Sequence, residues 1–273
     1  MFEDISKVVL VTDMDGTLLN SKKEVTPKDR KAIEYFMSLG GRFTVATGRT
    51  IQSFSHYYDL LDLRFPVIMF NGSVIYDKSK EKVVYTECLP KHARKIAIEI
   101  FNEMPHIGGE VLKTYDTYVF SNTEYEKKHT EICKVTPIYK SLEDIPDGDW
   151  QKVLFAMSPD EISDIINLVN GKSYDGVRFV KSADIFFEMI KSGITKGSAL
   201  KMYRQLDGME DCTFVAAGDY NNDIEMLKEA DLGAAPLNAQ PEVKAAADLV
   251  LQHTCDNGAI AELIEVILEK CRI

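Results

Sequence analysis

A chain of 273 residues with 45% hydrophobic content is long enough for one large domain or two ordinary ones and can bury a sizeable core, which excludes disorder as its overall state. A formal charge of -11 repels nucleic-acid backbones and anionic membranes, and no local basic patch offsets that average, so neither is expected as a partner. Cys88, Cys133, Cys212, Cys255 and Cys271 are odd in number and scattered, without a Cys-x-x-Cys pair, which predicts a reduced, cytoplasmic compartment and neither a zinc nor a redox site. The acids near the N-terminus argue against a signal peptide, and no run approaches the roughly 20 apolar residues of a membrane span.

Taken in chain order, KVVLVT is a short β-branched run that reads as a strand buried on both faces, ended by the polar Asp13-Met14-Asp15-Gly16-Thr17. After Pro27, Ala32, Ile33, Phe36, Met37 and Leu39 form one helical stripe that stops at Gly40 and Gly41. RFTVAT gives a second strand, IQSFSHYYDLLDL a second helix, and PVIMF a third strand broken by the turn signal Asn71-Gly72 before SVIY. Strand, helix, strand, helix, strand predicts a parallel sheet with right-handed crossovers.

Near residue 82 the rhythm changes. VVYTE, a helix from Lys91, the hairpin-like TYDTYVF, the strands KVLFAM, GVRFVKS and DIFFEMI, and the helix SPDEISDIINLVNG predict a separate mixed α/β domain over residues 84–189. From Lys196 the parallel pattern resumes through KGSALKMYRQL, TFVAAGD, IEMLKEA, LGAAP, PEVKAAA, DLVL and a last helix to Ile273. The expected fold class is therefore α/β, with a discontinuous parallel-sheet core over 1–83 and 190–273 and an inserted α/β domain.

In open α/β sheets ligands sit beyond the carboxyl ends of the strands, so the polar residues after each apolar run carry the chemistry. Asp13 and Asp15, two residues apart and followed by a flexible glycine, can converge on one small site. A plain turn is the competing reading, but a chance Asp-x-Asp-Gly-Thr occurs in only about three per thousand chains of this length. Thr47, Gly48 and Arg49 offer a hydroxyl and backbone N–H groups to phosphate oxygens, though taken alone a threonine N-cap of the next helix is the stronger reading there. Lys196 opens a helix, where a cation opposes the helix dipole, which suggests service to an anion. Gly218, Asp219, Tyr220, Asn221, Asn222 and Asp223 supply acids and amides that suit a hard cation or a helix cap. Acids, a hydroxyl, an amide and a lysine around one crevice fit phosphoryl transfer, with magnesium reducing the repulsion between a carboxylate nucleophile and a phosphate.

These four segments, in this order, resemble the four motifs of the haloacid dehalogenase superfamily. Asn71-Gly72 after the third strand, Ile194-Thr195-Lys196-Gly197 and the large insertion resemble its Cof-type sugar phosphatase branch. The resemblance spans essentially the whole chain and implies a Rossmann-like core with a specificity cap. It implies Asp13 as nucleophile and metal ligand, Asp15 as general acid and base in the same metal site, and Asp219 and Asp223 as further Mg2+ ligands. It also implies Thr47, Gly48, Arg49, Asn71, Lys196 and Asn222 as contacts to a small phosphorylated metabolite. Tyr220 departs from the pattern, since relatives often carry a small residue there. A phosphomutase of the same superfamily and a non-catalytic phosphate-binding module are the alternatives; intact Asp13 and Asp15 weigh against the second. Tyr115, Asp116 and Tyr118 are candidate cap contacts, with a solvated hairpin tip as the competing reading. Nothing in the sequence sets the oligomeric state.

Overall fold

The computed structural model describes residues 4–271. The chain packs into two compact units: residues up to Gly48, His56–Thr86 and from Ile194 onward form the first, and Arg49–Ser55 with Glu87–Gly193 form the second. The chain runs through β1 (Val8–Thr12), α1 (Pro27–Ser38), β2 (Arg42–Val45), α2 (Ile51–Leu61), β3 (Val67–Met69), β4 (Val74–Asp77) and β5 (Lys82–Thr86). It continues through α3 (Ala93–Glu103), β6 (Gly108–Lys113), β7 (Thr117–Ser121), α4 (Glu124–Cys133), β8 (Pro137–Tyr139), β9 (Trp150–Ala156), α5 (Ile162–Val169), β10 (Val177–Ala183) and β11 (Phe186–Lys191). It closes with α6 (Lys196–Tyr203), β12 (Thr213–Ala217), α7 (Ile224–Glu229), β13 (Leu232–Ala235), α8 (Pro241–Ala246), β14 (Leu249–Val250) and α9 (Ala259–Cys271). No helix among the described residues is long and apolar enough to cross a membrane.

The first unit is built on a parallel sheet in the order β14-β13-β12-β1-β2. Every residue of β1 is buried, as expected for a parallel strand covered on both faces. Thr12 stands opposite both Ala217 and Val45, so three strands end at one level. The Asp13 N–H then donates to the Ala217 carbonyl at 2.8 Å, and the Ala46 N–H to the Thr12 carbonyl at 2.8 Å. That shared edge delivers Asp13, Thr47 and Gly218 side by side. The third expected strand does not extend this sheet. The sheet's ladder pairing with β3 is a single isolated bridge, Ala46 to Ile68, and left-handed Phe70 and Asn71 fold the chain back into an antiparallel sheet with β4 and β5.

The second unit is a mixed sheet in the order β10-β11-β9-β6-β7-β8. Val111, Val153, Phe155, Phe187 and Met189 on one face pack with Ile96 and Ile100 of α3 and Ile162 and Ile165 of α5. Tyr118 is buried in this cluster, a core residue and not a surface contact, whereas Tyr115 is exposed at the hairpin tip. The expected limits at 84 and 189 fall inside β5 and β11. The sequence reading also omits β6, β8 and α4. Helix α4 carries little apolar signal, since its buried residues are Glu126 and His129.

Those two side chains enter a buried ionic ring. Glu110 on β6 pairs with His129 Nδ1, His129 Nε2 lies 3.5 Å from the Cys133 Sγ, and Lys152 on β9 binds Glu188 on β11 at 2.9 Å. Three carboxylates face two cations, so the ring is neutral when Glu126 holds a proton. Burial, and then Glu110, push the Glu126 carboxyl up to about 7, with His129 opposing. Burial disfavours a charged His129, yet its bonds to Cys133 and Glu110 prevail and raise it to about 9. Because the folded state holds the Glu126 proton more tightly than the unfolded chain does, this stability is full below about pH 4.5 and is lost as pH rises through about 7. Glu126→Gln should match wild type at pH 4.5 and exceed it by up to about 3 kcal/mol at pH 8, at 1.36 kcal/mol per pKa unit. Urea unfolding of both proteins across that pH range measures the difference, and parallel curves would refute it.

Candidate active site

At the shared strand edge of the first unit, Asp13 is 7% exposed and Lys196 1% exposed. The Lys196 ammonium donates to Asp13 Oδ1 at 2.5 Å and to Asp223 Oδ1 at 2.7 Å. It is held at the first turn of α6, where Thr195 caps the helix by accepting the Ser198 N–H at 3.1 Å. A cation at this end is locally unfavourable, and two buried carboxylates account for its placement. The other oxygen of Asp223, Oδ2, accepts the N–H groups of Asp219 and Tyr220 at 3.1 and 3.0 Å. The loop after β12 is thus closed by its own acid, and Tyr220 is 57% exposed, so its bulk leaves the loop intact.

Asp219 is fixed from the first motif: the Thr17 hydroxyl donates to its Oδ1 at 2.9 Å. Gly16 adopts φ +91°, and a Cβ there would run into the Asp219 carboxylate. Only glycine satisfies both conditions. One carboxylate oxygen each from Asp13, Asp219 and Asp223 lies within 4.8 Å of the others. When all three are ionised, the carboxylates exceed the single ammonium of Lys196 by two negative charges, a surplus and a donor set that fit one divalent cation bound by oxygen. Burial pushes the Asp13 carboxyl up to about 7, with Lys196 opposing and Asp223 and Asp219 adding to the rise. Burial likewise raises Asp219. For Lys196, burial disfavours the charge, but Asp13 and Asp223 outweigh it and raise the ammonium above the ordinary lysine range.

The remaining expected residues divide. Asp15 lies outside the three-carboxylate group and is ion-paired at 2.9 Å with Lys23. Thr47 is buried; its N–H donates to the Ile68 carbonyl at 2.8 Å and its carbonyl accepts the Asn71 N–H at 3.0 Å. Asn71, left-handed at φ +55°, receives the Asn222 side-chain amide on its Oδ1 at 3.1 Å and stands against Gly48. Thr47, Gly48, Asn71 and Asn222 are therefore one connected group. Arg49 falls with the first turn of α2 in the second unit. Asn238 was not anticipated. It donates to the Gly16 carbonyl at 2.7 Å and accepts the Cys255 N–H at 2.8 Å, tying the first motif to the loop before α9. Its signal was its position just past the end of β13, a fifth strand end with the same logic as the other four.

Residues 10–264 match the profile of the haloacid dehalogenase-like hydrolase family. Curated relatives include the 5-amino-6-(5-phospho-D-ribitylamino)uracil phosphatase YcsE of Bacillus subtilis, 27% identical over 94% of this chain and 94% of that one. Another is the pyridoxal phosphate phosphatase YbhA of Escherichia coli, 26% identical over 92% of this chain and 96% of that one. A crystal structure of a haloacid dehalogenase-like hydrolase from Bacteroides thetaiotaomicron superposes with a TM-score of 0.83 at 26% identity, covering 95% and 98% of the two chains. The chain belongs to the haloacid dehalogenase-like hydrolase family, in its Cof-type branch, and the enzyme class this defines is phosphoric monoester hydrolase.

Gly16→Ala tests the close approach of the two loops. It should lower stability by about 2 kcal/mol through the left-handed backbone alone and, if the acid group holds a divalent cation, weaken that hold by displacing Asp219. Urea unfolding and a magnesium titration of the thermal midpoint report the two effects, and an unchanged response to magnesium would dissociate Gly16 from the acid group.

Proposed function

We propose that this protein is a Mg2+-dependent phosphatase for small phosphorylated metabolites, sugar phosphates or compounds like them, acting through an aspartyl phosphate on Asp13. The observation that carries this reading is Asp13 itself, buried at the strand edge with its Oδ1 held by Lys196 and two further carboxylates alongside. Mg2+ held by Asp13, Asp219 and Asp223 would offset the negative charge that the phosphate and these acids bring together.

The chain's own groups account for the remaining chemistry. An Asp13 oxygen attacks phosphorus while Asp15 gives a proton to the departing ester oxygen, so an alcohol leaves and phosphate stays on Asp13. Asp15, now a carboxylate, takes a proton from water as that water attacks the phosphorus, and phosphate leaves with Asp13 restored. Lys196, charged and fixed, stabilises the equatorial phosphate oxygens together with Thr47, and Asn222 braced on Asn71 orients them. YcsE and YbhA, at nearly equal identity to this chain, are named for chemically different phosphates. This supports small phosphorylated metabolites as the class and favours no single member.

Asp13→Asn should abolish turnover of every substrate, since an amide cannot form the acyl phosphate. Asp15→Asn should stall on alkyl phosphates yet release a burst of phenol from an activated aryl phosphate, approaching one equivalent per site, with phosphate recovered on Asp13. Rapid-quench assays and peptide mapping decide this, and label on another residue would reject the mechanism. Asp219→Ala should cost more activity than Asn222→Ala, because the first removes a metal charge and the second one supporting amide. Calcium should inhibit, since it favours more ligands and longer bonds than an octahedral magnesium site provides; full activity in excess chelator would remove the metal from the mechanism.

A further inference from the structure

Beyond the first motif the chain makes a tight hairpin in which Leu19 pairs with Val25. The turn is closed by its own backbone: Asn20 N–H donates to the Glu24 carbonyl and Lys23 N–H to the Asn20 carbonyl, both at 2.9 Å. The Asn20 side chain accepts the N–H groups of Lys22 and Glu24 at 2.9 Å, and Ser21 N–H is anchored on Asp256 Oδ1 at 2.8 Å. At the left-handed position, φ +63°, stands Lys23, where glycine or asparagine is the ordinary occupant. From there its side chain reaches back to place the ammonium 2.9 Å from Asp15 Oδ1.

Stability does not explain this choice. The two side chains are 63% and 38% exposed, and an exposed ion pair returns less than a lysine in this backbone region costs. We infer that Lys23 is a positioning residue for Asp15, an inference that rests on the proton-transfer role given to Asp15 above. An ammonium only donates, so the oxygen it holds, Oδ1, is confined to accepting. Through its contact to Oδ1, Lys23 restrains the rotation of the carboxyl that must reach the leaving group, while exchanging no proton itself. A rigid turn supplies the preorganisation that such a contact needs.

Substitution separates the arm from the turn. Lys23→Gly suits the backbone and removes the arm, so its melting temperature should equal or exceed that of wild type. Its kcat on an alkyl phosphate such as glycerol phosphate should fall about tenfold with KM within twofold. On p-nitrophenyl phosphate, whose leaving group needs little protonation, the burst should keep its rate within twofold while the following steady state slows about tenfold. Lys23→Arg should recover most of the loss, and Lys23→Asn, which also tolerates the left-handed region, serves if the glycine protein fails to fold. Wild-type rates for Lys23→Gly on both substrates overturn the inference, as does an arginine variant of equal stability that recovers nothing. An Asp15→Asn enzyme that shows no burst and carries no phosphate on Asp13 with an aryl phosphate overturns the parent mechanism instead.

Discussion

One buried ammonium organises the first unit's chemistry. Lys196 bridges Asp13, at the end of β1, and Asp223, at the start of the loop-to-helix turn before α7. Taking such ions out of water costs several kcal/mol each, and only mutual attraction with satisfied hydrogen bonds offsets it. The surrounding geometry serves that condition: Asp223 is completed by two backbone N–H groups, Asp219 by Thr17, and Lys196 is held by a capped helix end. Three carboxylates nonetheless exceed one ammonium. The same surplus that makes the acid group costly to bury suits it to hold a divalent cation, so stability and the proposed function are in tension at one place.

The register of the parallel sheet makes this economical in sequence. Because β1, β2 and β12 end level, residues separated by about two hundred positions arrive together without any long-range loop having to find its partner. Three glycine-dependent approaches then bring the loops within bonding distance of the acids. At Gly16 a side chain would displace Asp219, at Gly218 it would meet Asp223, and at Gly72 the chain must turn left-handed against the Thr195 carbonyl. Asn238 joins the first motif to the segment before α9, so the site is braced by elements at both ends of the chain.

Legibility in the sequence followed the physical origin of each signal. Strands buried on both faces, such as VVLVT and TFVAA, read plainly because burial demands a continuous apolar run, and their polar ends marked Asp13, Thr47 and Asp219. Lys196 was legible from a conflict, a cation at a helix start. What was lost had no hydrophobic period: α4 buries Glu126 and His129, so its interior looks like a surface in one dimension. The turn of β3 away from the parallel sheet follows left-handed Phe70 and Asn71, and composition does not announce a left-handed phenylalanine. Asn238 and Lys23 act through one side chain on another loop, which spacing cannot reveal.

The two units place charge in their interiors by opposite rules. In the second, Glu110, Glu126 and Glu188 face His129 and Lys152, and a single proton balances the ring. In the first, Lys23 is engaged at Asp15, and the ammonium of Lys196 faces three carboxylates that exceed it by two charges when ionised. A group balanced by its own protons is complete as folded and reports only on pH. The acid group of the first unit also holds its protons more tightly than free carboxyls do, but when its acids ionise it falls two charges short of balance, and a cation from outside can then complete it.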